Sequence, residues 1–248
     1  MSIFGKGYLD RDWKEEPFGS VVPEYSGKVY GRDVWEDMIR EQQKRECSPY
    51  DVFKSAGLPV LNQKSLNYCW CFCLVQGVSI AIAKSGYDRT PPLHLSASYP
   101  AQLHKNFSNS GGWAMQAVSA CKKYGIPTVD VFPEATLSKS KCDSDAVRGS
   151  AQNHSIVEYE ECESKDFASA FSALISPDPC CVTLGLSWWR HAVLGVEAVY
   201  DRHRGFGIRI LNSWGSGWGD RGTQVLWEMH RKGCIADEYV VIKSAKVI

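Results

Sequence analysis

The sequence predicts an α+β fold with two lobes, a mainly helical one followed by a β-rich one. A mostly apolar stretch of helical length covers 69–84 in the first half of the chain. After Pro179 the pattern changes to apolar runs of strand length that are separated by turn-like segments. With 248 residues, 44% of them hydrophobic and 23% charged, the chain is long enough to bury a core in each lobe. A functional site between two such lobes would lie in a cleft.

Residues 1–57 differ from the rest of the chain and are predicted to form an N-terminal extension. This part is polar and punctuated by glycine and proline, with one charged helix predicted over about 33–45. We expect the extension to dock on the body of the protein or on a partner protein. The remaining 58–248 are predicted as one domain, with a mainly helical lobe over about 58–130 and a mainly β lobe over about 131–248.

The helices of the first lobe are predicted from apolar periodicity and from their end signals. The central helix covers 69–84, with Asn67 as its N-cap and Gly86 as the glycine that ends it. Two further helices are predicted in this lobe, over about 96–106 and 112–124, and another in the second lobe, over about 166–176.

The strands of the second lobe are predicted from five apolar runs. They are CCVTLGL, HAVLGVEAVY, FGIRILN, QVLWEMH and EYVVIKSA. The acidic run EYEECES at 158–164 is predicted to be a solvated strand edge or loop.

Composition excludes several classes of protein. The 28 basic and 28 acidic side chains balance, which argues against a nucleic-acid or membrane-surface binder. No apolar run reaches the roughly 18 residues of a membrane-spanning helix. The N-terminus lacks the apolar stretch of a secretory signal, so we expect a cytoplasmic or otherwise intracellular protein, with association with a virus particle as an open alternative. The ten cysteines are expected to be free thiols, and because their spacing does not suit zinc, no metal is predicted.

Three segments together carry the chemistry of acyl transfer by a thiolate. They are NQKSLNYCWCF, RHAVLGV and NSWGSGWGDRG. Cys69 is predicted to open the central helix, where unpaired N–H groups and the positive end of the helix dipole stabilise a thiolate. His191 would be the general base, and Asn212 would hold the imidazole in the required tautomer. The Gln63 amide and the Cys69 backbone N–H could donate to a developing oxyanion.

In this order and spacing the motifs resemble those of the papain-like cysteine peptidases. His191 lies 122 residues after Cys69 and Asn212 lies 143 after it, close to the separations in that family. NSWGSGWG is the most specific of the shared motifs, and the resemblance spans about 58–245. It implies a helical lobe and an antiparallel, barrel-like β lobe with the active-site cleft between them.

The resemblance also implies roles for individual residues. Position by position, it assigns catalysis to Cys69, His191, Asn212 and Gln63. It matches Gly111 and Gly112 to the substrate cleft, and Trp214 and Trp218 to the indoles that shield the His–Asn pair from water. Trp189 and Trp218 are also predicted to line the substrate cleft. The two glycines match those whose backbone pairs with an extended substrate strand.

The sequence departs from the family pattern around the nucleophile. Leu66, Asn67 and Tyr68 precede Cys69 where small residues and a cysteine are usual, and Trp188–Arg190 crowd the approach to the histidine. The 57-residue extension is short for the family's inhibitory pro-region, and the helical motif of that region is not evident.

The leading hypothesis is a thiol peptidase that hydrolyses peptide bonds through an acyl-enzyme, with a peptide or protein as substrate. No metal or organic cofactor is implied, and an exopeptidase, transpeptidase or isopeptidase would use the same residues. The alternative is a catalytically silent papain-fold structural or binding protein, anchored by its extension in a larger assembly such as a virus particle. A thiol acyltransferase is disfavoured by NSWGSGWG.

Overall fold

The computed structural model describes residues 7–12, 14, 22–87, 90–230 and 232–247. Eight α-helices and six β-strands are formed within them. The helices are α1 (Arg32–Arg45), α2 (Pro49–Ser55), α3 (Cys69–Lys84), α4 (Ser98–His104), α5 (Ala114–Tyr124), α6 (Lys139–Cys142), α7 (Asp145–Gln152) and α8 (Phe167–Ile175). The strands are β1 (His154–Cys162), β2 (Cys181–Leu186), β3 (His191–Asp201), β4 (Gly205–Leu211), β5 (Thr223–Trp227) and β6 (Glu238–Val247).

The six strands form one antiparallel sheet in the order β1-β6-β2-β3-β4-β5. The last strand, β6, lies between β1 and β2 and pairs with both. The chain therefore has the mixed helical and antiparallel architecture that the sequence predicts. The sheet is open, with β1 and β5 at its two edges, where the resemblance implied a barrel-like lobe.

Helix α3 is the centre of the molecule because it is apolar on all sides. Thirteen of its sixteen residues are buried, and it packs against β6, β3, β2 and α5. At Gly77 the helix approaches the sheet so closely that a Cβ atom would lie 2.2 Å from the Ile242 side chain. This packing fixes the first residue of the helix, Cys69, between the helices and the sheet.

The predicted bounds of α3 are confirmed, but its predicted N-cap is wrong. The capping position is Tyr68, which makes no side-chain cap. Asn67 is instead drawn away by Asn109, whose Oδ1 accepts the Asn67 N–H at 2.7 Å and whose carbonyl accepts the Asn67 side-chain amide at 3.1 Å. At the other end, Gly86 follows the C-cap with a φ of +88°, as predicted for the glycine that ends the helix.

The region between α5 and α8 is where the sequence was least informative. Helices α6 and α7 are too short to show a clear period, and the strands begin only at His154. Strand β1 contains most of the acidic run, and the prediction that this run is solvated is wrong for Glu160 and Glu161, which are both buried. The cause is the N-terminal extension, which covers this sheet edge. Tyr25 donates its N–H to the Glu161 carbonyl, and Glu161 donates its own to Pro23, both at 2.8 Å.

The described part of the extension packs on the body of the protein. Trp35 of α1 is fully buried, with its ring 4.4 Å from that of Phe171 in α8 and 5.1 Å from that of Phe206 in β4. The Gln42 side chain donates to the Leu174 carbonyl at 2.7 Å. Large aromatic contacts of this kind make α1 part of the core that lies under the sheet. None of the described helices combines the length and hydrophobicity that crossing a bilayer requires.

Candidate active site

The predicted nucleophile, Cys69, is the first residue of α3 and is completely buried. Its Sγ accepts the backbone N–H of Ala192, the second residue of β3, at 3.4 Å. Burial raises the pKa of this thiol to about 12, although backbone N–H groups of Ala192, Trp70 and Tyr8 directed at the sulfur oppose the rise. In this arrangement desolvation therefore outweighs the helix N-terminus, and the sulfur is a neutral thiol rather than the expected thiolate.

His191 and Asn212 are brought together by the β3–β4 hairpin. His191 is the first residue of β3, Asn212 follows the last residue of β4, and both side chains are buried. The His191 Nε2 lies 2.7 Å from the Asn212 Oδ1, which also accepts the Ser213 N–H at 2.8 Å. Because an amide oxygen only accepts hydrogen bonds, Nε2 carries the proton and Nδ1 is the basic nitrogen of the neutral ring. His191 directly precedes Ala192, whose backbone N–H donates to the Cys69 sulfur.

Indole rings enclose the imidazole. Trp214 stacks on His191 with ring centroids 4.6 Å apart, and Trp189 meets it edge-on at 5.0 Å. Trp218 contacts Trp189 and Trp214 at 6.1 and 5.8 Å and thus forms an outer layer. The rings keep water from the His–Asn hydrogen bond, which strengthens it. Trp189 and Trp218 lie beside the site as predicted, and their contact with substrate stays a prediction.

Gln63 is held rigidly in the loop before α3. Its backbone N–H donates to the Ser213 carbonyl at 2.8 Å, and its side-chain carbonyl accepts the Ser213 hydroxyl at 2.5 Å. Its side-chain nitrogen donates to the Leu66 carbonyl at 2.6 Å. Ser213 therefore ties the loop before Cys69 to the segment that carries Asn212. Sequence reasoning missed Ser213 as a positioning residue, although it lies inside the NSWGSGWG motif. The oxyanion role of Gln63 stays a prediction.

Residues 7–12 of the N-terminal extension run through the cleft. Gly7 accepts the Gly112 N–H at 2.8 Å, and Leu9 donates to the Gly112 carbonyl at 3.0 Å, which gives a parallel bridge between Tyr8 and Gly112. On the opposite side, the N–H groups of Gly7 and Tyr8 both lie 3.2 Å from the Arg190 carbonyl. We call residues 7–12 the arm. The glycine pair that was predicted to bind substrate backbone thus holds the extended backbone of the arm.

Contacts around Gly7 show how tightly the arm fits. A Cβ atom on Gly7 would lie 2.1 Å from the Asn67 carbonyl oxygen, and one on Gly111 would lie 2.4 Å from the Gly7 carbonyl oxygen. Asn67 is one of the residues by which the chain departs from the family pattern. The loop before the nucleophile is therefore in direct contact with the arm.

The Tyr8 side chain fills a pocket beside the thiol and is only 3% exposed. Its ring lies against Gly185 of β2, where a Cβ atom would come within 2.4 Å of a ring carbon. Burial, together with the nearby Glu238 carboxylate, raises the pKa of the Tyr8 hydroxyl. Sequence reasoning missed Tyr8, because a lone tyrosine between polar residues carries no signal of a remote pocket.

Glu238, the first residue of β6, is a buried carboxylate close to the site. It accepts the backbone N–H groups of Ala114 and Met115 at the start of α5, at 2.8 and 3.4 Å. Burial raises its pKa to about 7, while those N–H groups and Arg11 of the arm oppose the rise. A carboxyl of this kind changes charge close to neutral pH.

All ten cysteines are free thiols. In the described part of the chain no group of three or more His, Cys, Asp or Glu side chains is placed to hold a metal ion.

Comparison with known protein families and with curated proteins finds no match for this chain. Solved structures do match. Xylellain, a cysteine protease from Xylella fastidiosa, aligns with a TM-score of 0.65 and 17% identity over 98% of this chain and 97% of its own. Digestive procathepsin L 3 of Tenebrio molitor larval midgut aligns with a TM-score of 0.62 and 23% identity over 76% of this chain and 67% of its own. A recombinant stem bromelain precursor aligns with a TM-score of 0.61 and 17% identity over 99% of this chain and 84% of its own.

These structures share one architecture, that of the papain-like cysteine proteases. The resemblance deduced from the motifs is therefore confirmed, and the chain has the papain-like fold. At this level of identity the comparison concerns the fold, so the chemistry has to be argued from the residues of this chain.

Proposed function

We propose that this protein is a papain-like thiol peptidase whose described conformation is inhibited by its own arm. The observation that carries the proposal is the geometry around Cys69. The thiol sits at a helix N-terminus against Ala192, and the preceding His191 is oriented by Asn212 through a 2.7 Å hydrogen bond. A nucleophile, a base next to it and a group that orients the base are the parts that acyl transfer needs.

Each step of the proposed reaction is assigned to a named group of this chain. With the cleft open, His191 Nδ1 takes the proton of the Cys69 thiol, and the sulfur attacks the carbonyl carbon of a peptide bond. The Cys69 backbone N–H and the Gln63 amide donate to the oxygen that becomes negative. The imidazolium then gives its proton to the leaving amine, and the acyl group remains on sulfur. A water molecule, deprotonated by the same imidazole, releases the acid and restores the thiol.

The arm lies in the cleft as an occupant rather than as a substrate. The Tyr8 backbone N–H lies close enough to the Cys69 sulfur to lower the pKa of the thiol, and it donates to the Arg190 carbonyl at 3.2 Å. Both walls of the cleft, at Gly112 and Arg190, are hydrogen-bonded to the arm, so that a second extended chain cannot pair there.

The proposal is tested by covalent labelling of the full chain carrying Tyr8→Ala, which removes the side chain that anchors the arm. We expect an epoxysuccinyl inhibitor of cysteine proteases to add once per molecule, with peptide mapping placing the adduct on Cys69. Cys69→Ala should abolish the adduct. Cys73→Ala is the matched control, because it removes another buried thiol of the same helix and should leave labelling intact. An adduct spread over several cysteines, or none on Cys69, would refute the peptidase and favour a silent papain-fold protein.

A further inference from the structure

Arg11 lies three residues beyond Tyr8 in the arm, and its guanidinium is buried inside the protein. Its Nη1 lies 2.5 Å from Oε2 of Glu161 in β1, and the two side chains are 0% and 1% exposed. Arginine is almost never fully buried unless it is paired. A surface-bound arm would not need such a contact, so this ion pair calls for a specific explanation.

A second carboxylate faces the same place. Glu161 pairs in register with Val240 of β6, so Glu161 and Glu238, two residues before Val240, lie on the same face of the sheet. The charge on Arg11 lowers the pKa of Glu238 and the charge on Glu161 raises it, which shows that the three groups interact. Two buried carboxylates on one sheet face repel each other unless a cation lies between or beside them.

The other charged residues of the arm are not held in this way. Asp10 is hydrogen-bonded to the Ser187 hydroxyl in an exposed contact. Asp12 accepts the backbone N–H of Lys14 at 2.9 Å, also in an exposed position. Within residues 7–12, Arg11 is thus the charge that is taken out of water, and it pairs with Glu161 of the body of the protein.

We propose that Glu161 and Glu238 form a buried guanidinium-binding pocket, and that Arg11 seated in it is the lock that keeps the arm in the active-site cleft. The inference rests on the proposed function. It adds that the closed state is held by a site outside the cleft, which recognises an arginine side chain of an extended segment. Departure of Arg11 leaves the desolvated Glu161 carboxylate without its cation and beside a second buried acid, so the pocket strongly favours re-entry of the arm.

The test uses the full-length protein and the rate at which an epoxysuccinyl inhibitor labels Cys69. Arg11→Gln keeps the length and polarity of the side chain and removes the charge, and we expect labelling to be at least tenfold faster than in the unmodified chain. Arg32→Gln is the matched control. Arg32 also belongs to the extension and pairs with Glu228 of the body, but it is 57% exposed and lies at the start of α1. Its labelling rate should stay within twofold of the unmodified chain.

Adding the arm back in trans tests recognition by the pocket itself. The probe is a synthetic peptide of residues 7–12, GYLDRD, added to the Arg11→Gln protein. The peptide should slow the labelling of Cys69, whereas GYLDQD at the same concentration should not. Equal inhibition by both peptides would overturn the pocket.

The outcomes separate the lock from the proposed function. If Tyr8→Ala is labelled rapidly at Cys69 while Arg11→Gln is labelled at the unmodified rate, the lock is refuted and the thiol peptidase stands. If no variant is labelled at Cys69, the proposed function itself fails. Should Arg11→Gln not fold, Arg11→Lys keeps the charge and loses the planar fork of donors. It should then be labelled at least threefold faster than the unmodified chain, and an unchanged rate would refute the lock.

Discussion

Replacing Tyr8 by alanine should open the cleft, and the structure indicates by how much. The ring is 3% exposed and packs against Gly185, so truncation loses nearly the whole burial of one large aromatic side chain. Burial of such a side chain is worth about 2–3 kcal/mol. The four backbone hydrogen bonds of Gly7, Tyr8 and Leu9 to the walls of the cleft do not involve the ring and should remain. Because about 1.4 kcal/mol corresponds to a factor of ten, the open fraction should rise roughly 30- to 150-fold.

Alkylation kinetics measure this change directly, because only the open state exposes the Cys69 sulfur. The second-order rate constant of an epoxysuccinyl inhibitor should rise by the same factor in Tyr8→Ala, until the arm is mostly open. Tyr30→Ala is a suitable control, since Tyr30 lies in the same extension but packs against the cluster under the β sheet. Equal rates in Tyr8→Ala and in the unmodified chain would show that the arm does not limit access to the thiol.

Three further outcomes are expected. The pKa of Glu238 is raised from an ordinary 4.5 to about 7 by burial, so its contribution to stability is full below pH 4.5 and is lost as the pH rises through 7. Glu238→Gln should therefore remove about 3 kcal/mol of pH dependence from the free energy of unfolding between pH 5 and 8, and an unchanged profile in denaturant titrations would contradict the assignment. Trp35→Ala should lower the free energy of unfolding by about 3–5 kcal/mol, because it leaves a cavity next to Phe171 in the aromatic cluster. A loss below about 1 kcal/mol would show that α1 is loosely docked. In the Tyr8→Ala protein, the further change Asn212→Ala should lower kcat/KM for a peptide substrate roughly tenfold or more, because His191 loses the hydrogen bond that orients it. One epoxide per molecule should still add to Cys69. An unchanged kcat/KM would exclude the orienting role of Asn212.

The elements around the active site were predictable from local signals. The bounds of α3 follow from an uninterrupted apolar run that ends at Gly86, and the β3–β4 hairpin follows from two strand-length runs around a turn. Cys69, His191 and Asn212 could be singled out because their motifs resemble those of a known family in order and spacing. The hydrogen bond between His191 and Asn212 could then be anticipated from the hairpin that carries them both.

The contacts of the arm could not be predicted, because nothing near Tyr8 or Arg11 in the chain records what they touch. Glu161 was expected to be solvated, as acidic side chains usually are, but it is buried and its charge is paired with Arg11, 150 residues away in the chain. The order of the strands could not be predicted either, because β6 pairs with β1 and β2, which are both far from it in the sequence. The Asn67 cap failed for the same reason, because Asn109 competes for its side chain.

These long-range contacts dock the extension on the β sheet and in the cleft, which its sequence alone does not indicate. The segment at Tyr25 covers the edge of β1, α1 packs under the sheet, and the arm contacts β1 through Arg11 and Glu161. A neutral thiol with a pKa near 12 is what such a covered site should contain. In the proposed mechanism, catalysis therefore requires the arm to leave the cleft.

The central claim is that Cys69 forms and releases an acyl-enzyme, and its most direct test is intact-mass analysis of the Tyr8→Ala protein during reaction with a peptide ester. The account predicts one acyl group per molecule, mapped to Cys69, that appears before steady turnover and disappears when the ester is exhausted. The acyl group should be absent from Cys69→Ala. A protein whose Cys69 is alkylated by the epoxide but never carries the acyl group, or carries it without releasing it, would contradict the claim and identify a silent triad on a papain-like fold.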